Sequence, residues 1–132
     1  MTTLEARRIE RGKALIVIPS ITPSNNELIR MHHFARGRLK DNLIKQLAVA
    51  INNSGLQVTQ MTAPGKRAVK ITSYRKGVLD KDNLVGGMKV LIDAIKDIGL
   101  LWDDSPEHMV LIPRQHKDKK TRTEIYIEEM ES

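Results

Sequence analysis

Two short acidic segments carry the side chains of this sequence that are best suited to chemistry. The first, Asp80-Lys81-Asp82-Asn83, sets two carboxylates two residues apart, and in an extended segment such side chains point the same way. Two neighbouring carboxylates stay ionised most easily beside a cation, and magnesium prefers oxygen ligands of this kind. The tetrapeptide is also a normal helix start, with Asp82 or Asn83 as the N-cap. Taken alone, it favours the helix start over a metal site.

The second acidic segment is Trp102-Asp103-Asp104-Ser105, which follows one predicted helix later. If the intervening turn–helix–turn unit returns the chain to the place where it left the sheet, the two acidic turns meet. Three carboxylates could then hold one or two metal ions, as an enzyme that cuts phosphodiester bonds requires. A turn of the Asp-Asp-Ser-Pro type is also ordinary structure. The pair of segments leaves the metal site and the two plain turns evenly balanced.

Lys89 is the candidate cation of such a site. It follows Asp82 by seven positions, which on a continuous helix is nearly the same face, and it could stabilise charge on a phosphate group. It could also pair with Asp93, four residues further on. The two roles are compatible.

The distribution of charge points to a polyanionic partner. Residues 1–78 carry 14 Lys or Arg against 4 Asp or Glu, whereas residues 79–132 carry 8 against 12. A basic surface attracts the phosphate backbone of nucleic acids. The candidate phosphate contacts are basic residues that precede the first acidic segment: Arg36, Arg38, Lys66, Arg67, Lys70, Arg75 and Lys76. A further basic group, with Lys117, Lys119, Lys120 and Arg122, lies near residue 120.

The composition excludes several other kinds of site. The chain has no cysteine, so disulfides, thiolate zinc sites and cysteine nucleophiles are excluded. It has only four aromatic Phe, Trp and Tyr residues, too few for a platform that stacks single-stranded bases. No apolar run approaches the roughly 20 residues of a membrane span, and no signal peptide is visible. We therefore expect a cytoplasmic protein with no membrane contact and no small-molecule cofactor beyond a metal.

The hydrophobic pattern predicts one small α/β (α+β) domain with a mixed sheet and two main helices. The predicted strands span residues 13–19, 67–74, 109–113 and 123–128, and the predicted helices span residues 36–52 and 88–98. Residues 20–34 are predicted to be a loop because they contain turn-forming residues. We expect the last two strands to form an antiparallel hairpin with a long basic loop. Residues 1–12 are expected to be a flexible arm, and residues 13–132 the domain.

The acidic segments, taken with the residues around them, resemble the RusA family of Holliday junction resolvases. The matching residues are Asp80-Lys-Asp82-Asn83-Leu84, Lys89 with Asp93-Ala94-Ile95, Gly99, and Trp102-Asp103-Asp104-Ser105. Pro23-Ser24-Asn25-Asn26 and Arg36-Gly37-Arg38 also resemble that family, and the likeness covers about residues 13–130. It implies a small mixed α/β fold, a symmetric homodimer, and cleavage of four-way DNA junctions with magnesium, for which manganese could substitute.

The resemblance assigns roles residue by residue. Asp80 and Asp82 match the first two essential acids, Asp104 matches the third, and Lys89 matches the catalytic lysine. One departure concerns Lys89, which lies three residues further from the first acids than in the better-known members. Gly86-Gly87 either extends one continuous helix or loops out and restores the spacing. Two alternative functions are a nuclease for flaps and forks and a basic DNA-binding module without catalysis.

Overall fold

The computed structural model describes residues 5–7, 12–53 and 60–130 of the chain. The described strands are β1 (Glu5–Arg7), β2 (Lys13–Ile18), β3 (Lys66–Arg75), β4 (Met109–Lys117) and β5 (Arg122–Met130). The described helices are α1 (Asn25–Arg30), α2 (His33–Asn53), α3 (Lys81–Gly87) and α4 (Lys89–Asp97). The strands form one five-stranded mixed sheet, so the predicted small α/β (α+β) architecture is confirmed.

The order of the strands differs from the predicted hairpin. The sheet runs β1-β2-β5-β3-β4, with β3 and β4 parallel and the other pairs antiparallel. β5 therefore lies between β2 and β3, and the hairpin of the last two strands was a wrong prediction. The connection between them crosses the end of β3, where the backbone N–H of Asp118 donates to the carbonyl oxygen of Arg75 at 2.8 Å. β4 is an edge strand of the sheet. Pro113 is tolerated there because its missing backbone N–H can fall on the side of the strand that has no neighbour.

One face of the sheet carries the core and the helices. Alternate residues of the central strands are buried there, among them Ile16 of β2, Ile71 of β3 and Ile125 of β5. They pack in one cluster with Leu47 of α2 and Leu91 of α4, each at most 2% exposed. Burial of a side chain of this size stabilises the fold by about 1.5–3 kcal/mol. The alternation also turns the other half of the strand residues to the opposite face.

The segment 20–34 contains a helix that the loop prediction missed. Ser24 is the N-cap of α1, and its hydroxyl oxygen accepts from the backbone N–H of Glu27 at 3.1 Å. The Glu27 carboxylate in turn accepts from the backbone N–H of Ser24 at 3.1 Å. This reciprocal pair is a capping box, for which Ser-x-x-Glu is the sequence signal. The turn-forming residues around Ser24 were interpreted as a loop, whereas they mark the start of α1.

The second predicted helix, over residues 88–98, is confirmed as α4, and a short further helix, α3, precedes it. α3 ends at Gly87 and α4 begins at Lys89, with Met88 between them. Part of the predicted arm, Glu5–Arg7, pairs antiparallel with β2 as β1, while residues 1–4 and 8–11 lie outside the described part of the chain. In the part that is described, no helix combines the length and the apolar character needed to cross a membrane.

Candidate functional site

The first acidic segment lies where α3 begins. Asp80 is the N-cap residue of α3, with φ −65° and ψ 161°, and Asp82 lies in the first helical turn. The segment is therefore helical after Asp80, and the expected extended arrangement of the two carboxylates was wrong. The Asp80 carboxylate makes no capping hydrogen bond to the backbone. It accepts instead from the side-chain amide of Asn83 at 2.7 Å.

Asn83 also ties the acidic segment to α1. Its side-chain oxygen accepts from the backbone N–H of Asn26 at 3.1 Å, while its nitrogen donates to Asp80. Both ends of one amide are thus engaged, and this fixes its orientation. The sequence prediction treated Asn25-Asn26 as turn structure and gave Asn83 only a capping role. Its bridging role depends on a contact 57 residues away in sequence, which no local pattern reveals.

Gly86 and Gly87 let α1 approach α3 closely. Both glycines are helical, so of the two alternatives for this point the looped-out one is not formed. A Cβ on Gly87 would overlap the carbonyl oxygen of Pro23, and one on Gly86 would lie 2.5 Å from the side-chain carbon Cγ of Asn25. The two glycines therefore make room for the segment that leads into α1.

Gln115 of β4 holds the chain just before Asp80. Its side-chain oxygen accepts from the backbone N–H of Leu79 at 3.0 Å, and its amide donates to the carbonyl oxygen of Leu79 at 2.7 Å. This pair of bonds fixes the acidic segment to the end of the sheet. Gln115 could not be selected from the sequence, because 36 residues separate it from Leu79 and no spacing rule joins them.

The carboxylates of this segment are open to solvent. Asp80, Asp82 and Lys89 are all exposed. Within residues 12–53 and 60–130, no ion pair joins Asp80 or Asp82 to a lysine or arginine. Lys89 is the first residue of α4, two positions after the end of α3. Carboxylates such as these two are the ligands that magnesium takes from proteins, with water and substrate phosphate completing its shell.

The second acidic segment lies at the other end of the sheet. Asp80 follows the end of β3, whereas Asp103 and Asp104 precede the start of β4, whose Met109 pairs with Arg67 at the start of β3. Two helices, α3 and α4, connect the two acidic segments. In a parallel crossover the helices carry the chain back to the opposite end. The expected meeting of the two turns within one chain was therefore wrong.

Asp103 has its own local partners at that end. The backbone N–H of Asp104 and the Ser105 hydroxyl lower the pKa of the Asp103 carboxyl, with a smaller contribution from Lys96. The Lys96 ammonium lies 4.0 Å from this carboxylate. Asp104 is exposed. In the described ranges, no three His, Asp or Glu side chains are grouped as metal ligands.

Two of the predicted phosphate contacts are buried in the helix-covered side of the sheet. Arg75 donates to the carbonyl oxygen of Thr22 at 2.8 Å, and Arg67 donates to that of Leu100 at 2.8 Å. They are 5% and 6% exposed, and burial lowers the pKa of both guanidinium groups. Both follow the alternation of buried residues along β3, a signal that the sequence contained. This placement makes Arg67 and Arg75 structural residues that do not face solvent.

The remaining predicted contacts reach the surface. Lys70, Lys76 and Arg38 are exposed and Lys66 is half-buried. Arg36 is exposed overall, but its Nε donates to the carbonyl oxygen of Leu28 at 2.8 Å and so ties α2 to α1.

The comparisons with known proteins add no assignment. The chain matches no model of a known protein family, and a search of the curated proteins found no match.

Proposed function

We propose that this protein is a magnesium-dependent endonuclease that resolves four-way DNA junctions, as its resemblance to the RusA family implies. The observation that carries the proposal is the exposed acidic pair Asp80 and Asp82, which Asn83 and Gln115 hold at one end of the sheet. Within the described ranges this pair has no basic partner, although the chain has a net charge of +6. Such a pair is suited to a divalent cation. We place the enzyme in the cytoplasm.

The third acid comes from a second copy of the chain in this proposal. Asp104 lies at the opposite end of the sheet from Asp80, so one chain cannot supply all three carboxylates to one metal site. A two-fold axis that sets the sheets of two copies in opposite directions brings the start of β4 in one copy near the end of β3 in the other. An isologous dimer repeats that contact, so two equivalent sites form.

Each site then combines residues from two chains. Asp80 and Asp82 of one copy and Asp104 of the other hold the metal, and Lys89 stabilises the charge that develops on the phosphate. Bound magnesium, or manganese in its place, supplies an activated water and neutralises phosphate charge. Two sites related by a two-fold axis suit a four-way junction, whose own symmetry is approximately two-fold, and they produce paired nicks.

A non-catalytic DNA-binding module is the second candidate, because Asp80 does occupy an N-cap position. The substitution Asp82→Asn separates the candidates. It should abolish magnesium-dependent nicking of a labelled four-way junction and leave junction binding unchanged, since the amide keeps the shape but loses the charge. Asp41→Asn, an exposed site on α2, is the control and should cut normally.

The enzyme assignment fails if the wild-type protein binds junctions but never cuts them with magnesium or manganese. Parallel assays on flaps, forks and four-way junctions decide the substrate range. Equal cleavage of all three would favour the broader branched-DNA nuclease.

Mixing two inactive variants tests whether the site is shared between chains. A dimer of one Asp82→Asn chain and one Asp104→Asn chain has both substitutions in one site and none in the other. After random exchange, about a quarter of all sites should be intact, and single-strand nicking should return to that level. If all three acids acted within one chain, every site would carry one substitution and the mixture would stay inactive. Each variant alone is the control.

A further inference from the structure

The face of the sheet opposite the helices contains a cleft of about 410 Å³. Side chains of four strands line it, among them Lys70, Thr72, Tyr74, Arg114, His116 and Tyr126. Along each strand these residues alternate with the buried core residues, so they point away from the helices. The cleft is therefore on the other side of the sheet from α3, which begins at Asp80.

The charges of this face leave a positive surplus. Its two central carboxylates already have partners: Glu124 accepts from Nε of Arg122 at 3.2 Å, and Glu128 lies 3.5 Å from the Lys13 ammonium. Lys70 and Arg114 are exposed. Across residues 12–53 and 60–130, neither pairs with a carboxylate. The cleft therefore presents two uncompensated cations to an incoming anion.

One wall of the cleft is already in place. The Arg122 guanidinium lies 3.7 Å from the centre of the Tyr74 ring, and the His116 ring stacks on the same tyrosine with 5.5 Å between ring centres. Arg122 is itself held by Asp118 at 3.3 Å and by Glu124. Because these side chains are fixed before any ligand arrives, little conformational freedom is lost on binding.

We propose that this cleft binds the phosphodiester backbone of duplex DNA. Lys70 and Arg114 supply the charge, and the hydroxyl groups of Thr72 and Tyr126 can donate to phosphate oxygens. The cleft reaches the end of the sheet that also carries the acidic segment, since Tyr74 and His116 are paired next to the end of β3. A duplex arm cut at Asp80 and Asp82 can therefore extend around that end onto this face, and in this respect the inference rests on the proposed function.

The same charges argue against a second copy of the chain as the occupant. In an isologous contact each copy would present the same surplus of positive charge to the other, and like charges brought together repel. DNA, with one negative charge per ~1.7 Å of its axis, has the complementary charge.

The test compares two double variants, each of which loses one lysine and one arginine. Lys70→Ala/Arg114→Ala removes the cleft cations, and Arg30→Ala/Lys45→Ala removes exposed cations from α1 and α2. Binding to a labelled duplex is measured by fluorescence anisotropy across a salt series in buffer without divalent metal, so that cleavage plays no part. The cleft variant should bind more weakly, with a salt-dependence slope reduced by about 1.8, because each phosphate contact contributes about 0.9.

An unchanged slope, or an equal change in the control variant, overturns the inference. So does a change in sedimentation mass with unchanged DNA binding, which would assign the face to a second copy. A wild-type protein that never cuts junctions, yet whose duplex binding depends on Lys70 and Arg114, would contradict the nuclease proposal and support the cleft. The two proposals therefore fail separately.

Discussion

Gly87 of α3 lies against the carbonyl oxygen of Pro23, so the position has no room for a side chain. This contact explains why a helix that supports the acidic segment contains two glycines, although glycine weakens helices. Local sequence patterns gave no reason for two glycines at this point of a helix. The structure supplies the reason, because the atom that Gly87 meets is the carbonyl oxygen of Pro23, more than 60 residues away along the chain.

We predict opposite effects of alanine at two helical glycines. Gly87→Ala should lower the free energy of unfolding by about 1–3 kcal/mol, because α1 or α3 must move to accept the Cβ. Gly37→Ala in α2, where a Cβ meets nothing within 4 Å, should raise it by about 0.5–1 kcal/mol, because alanine favours helix. Urea unfolding of both variants gives the two values. Equal effects on stability at the two positions would contradict the close approach of Gly87 to the carbonyl oxygen of Pro23.

The acids and the lysine could be selected from the sequence because their types and spacing are local. Asn83 was visible only as a capping candidate, and Gln115 was not visible at all. Each acts through a partner that is distant in sequence. Arg67 and Arg75 illustrate the reverse error: charge suggested phosphate contacts, whereas the alternation along β3 already placed them on the buried side.

At the scale of elements, β4 and the chain before α3 behave as one unit. Gln115 joins them through both backbone groups of Leu79, and these groups are partly buried. The acidic segment is thus fixed to the edge strand, so a movement of β4 would move Asp80.

We predict that Gln115→Ala weakens the attachment of Leu79 to β4. The backbone N–H and carbonyl of Leu79 would lose their partners, which should cost about 1–3 kcal/mol of stability. The amide of Leu79 should exchange with solvent faster, as measured by hydrogen exchange with NMR detection. Lys117→Ala, an exposed site on the same strand, is the control and should leave that amide protected. If the Leu79 amide stays protected from exchange in the Gln115 variant as well, the Gln115 side chain does not fix Leu79.

Most elements could be predicted from the sequence, but their order in the sheet could not. Periodicity identified α2, β3 and β5 to within a few residues, because burial follows the local alternation of apolar side chains. The pairing of strands depends on which partner completes the core, and a hairpin was the simplest guess for β4 and β5. Their actual separation by β3 also decides where the two acidic segments lie.

At the scale of the whole molecule, the parallel pairing of β3 and β4 separates the acids that the proposed metal site combines. A homodimer in the proposed arrangement brings the chain near Lys81 in one copy close to the chain near Glu107 in the other. Both residues are exposed, and the absence of cysteine from the sequence makes site-specific cross-linking simple.

We predict that a mixture of Lys81→Cys chains and Glu107→Cys chains gives a cross-linked dimer with a short bismaleimide. The two ends meet across the two-fold axis, whereas they lie at opposite ends of a single chain. A mixture of Lys81→Cys and Lys45→Cys chains is the control, and denaturing gels measure the yield. Equal yields in the two mixtures would contradict the proposed arrangement of copies.

The position of β5 also has a consequence for how the chain folds. β5 follows every other described element in sequence, yet it lies between β2 and β3 and pairs with both. Until β5 docks, β1 and β2 are not joined by strand pairing to β3 and β4. Contacts between residues so distant in sequence slow folding, because the entropy of loop closure is lost before the pairing is gained. On a ribosome, this sheet would remain in two pieces until residues 122–130 had emerged.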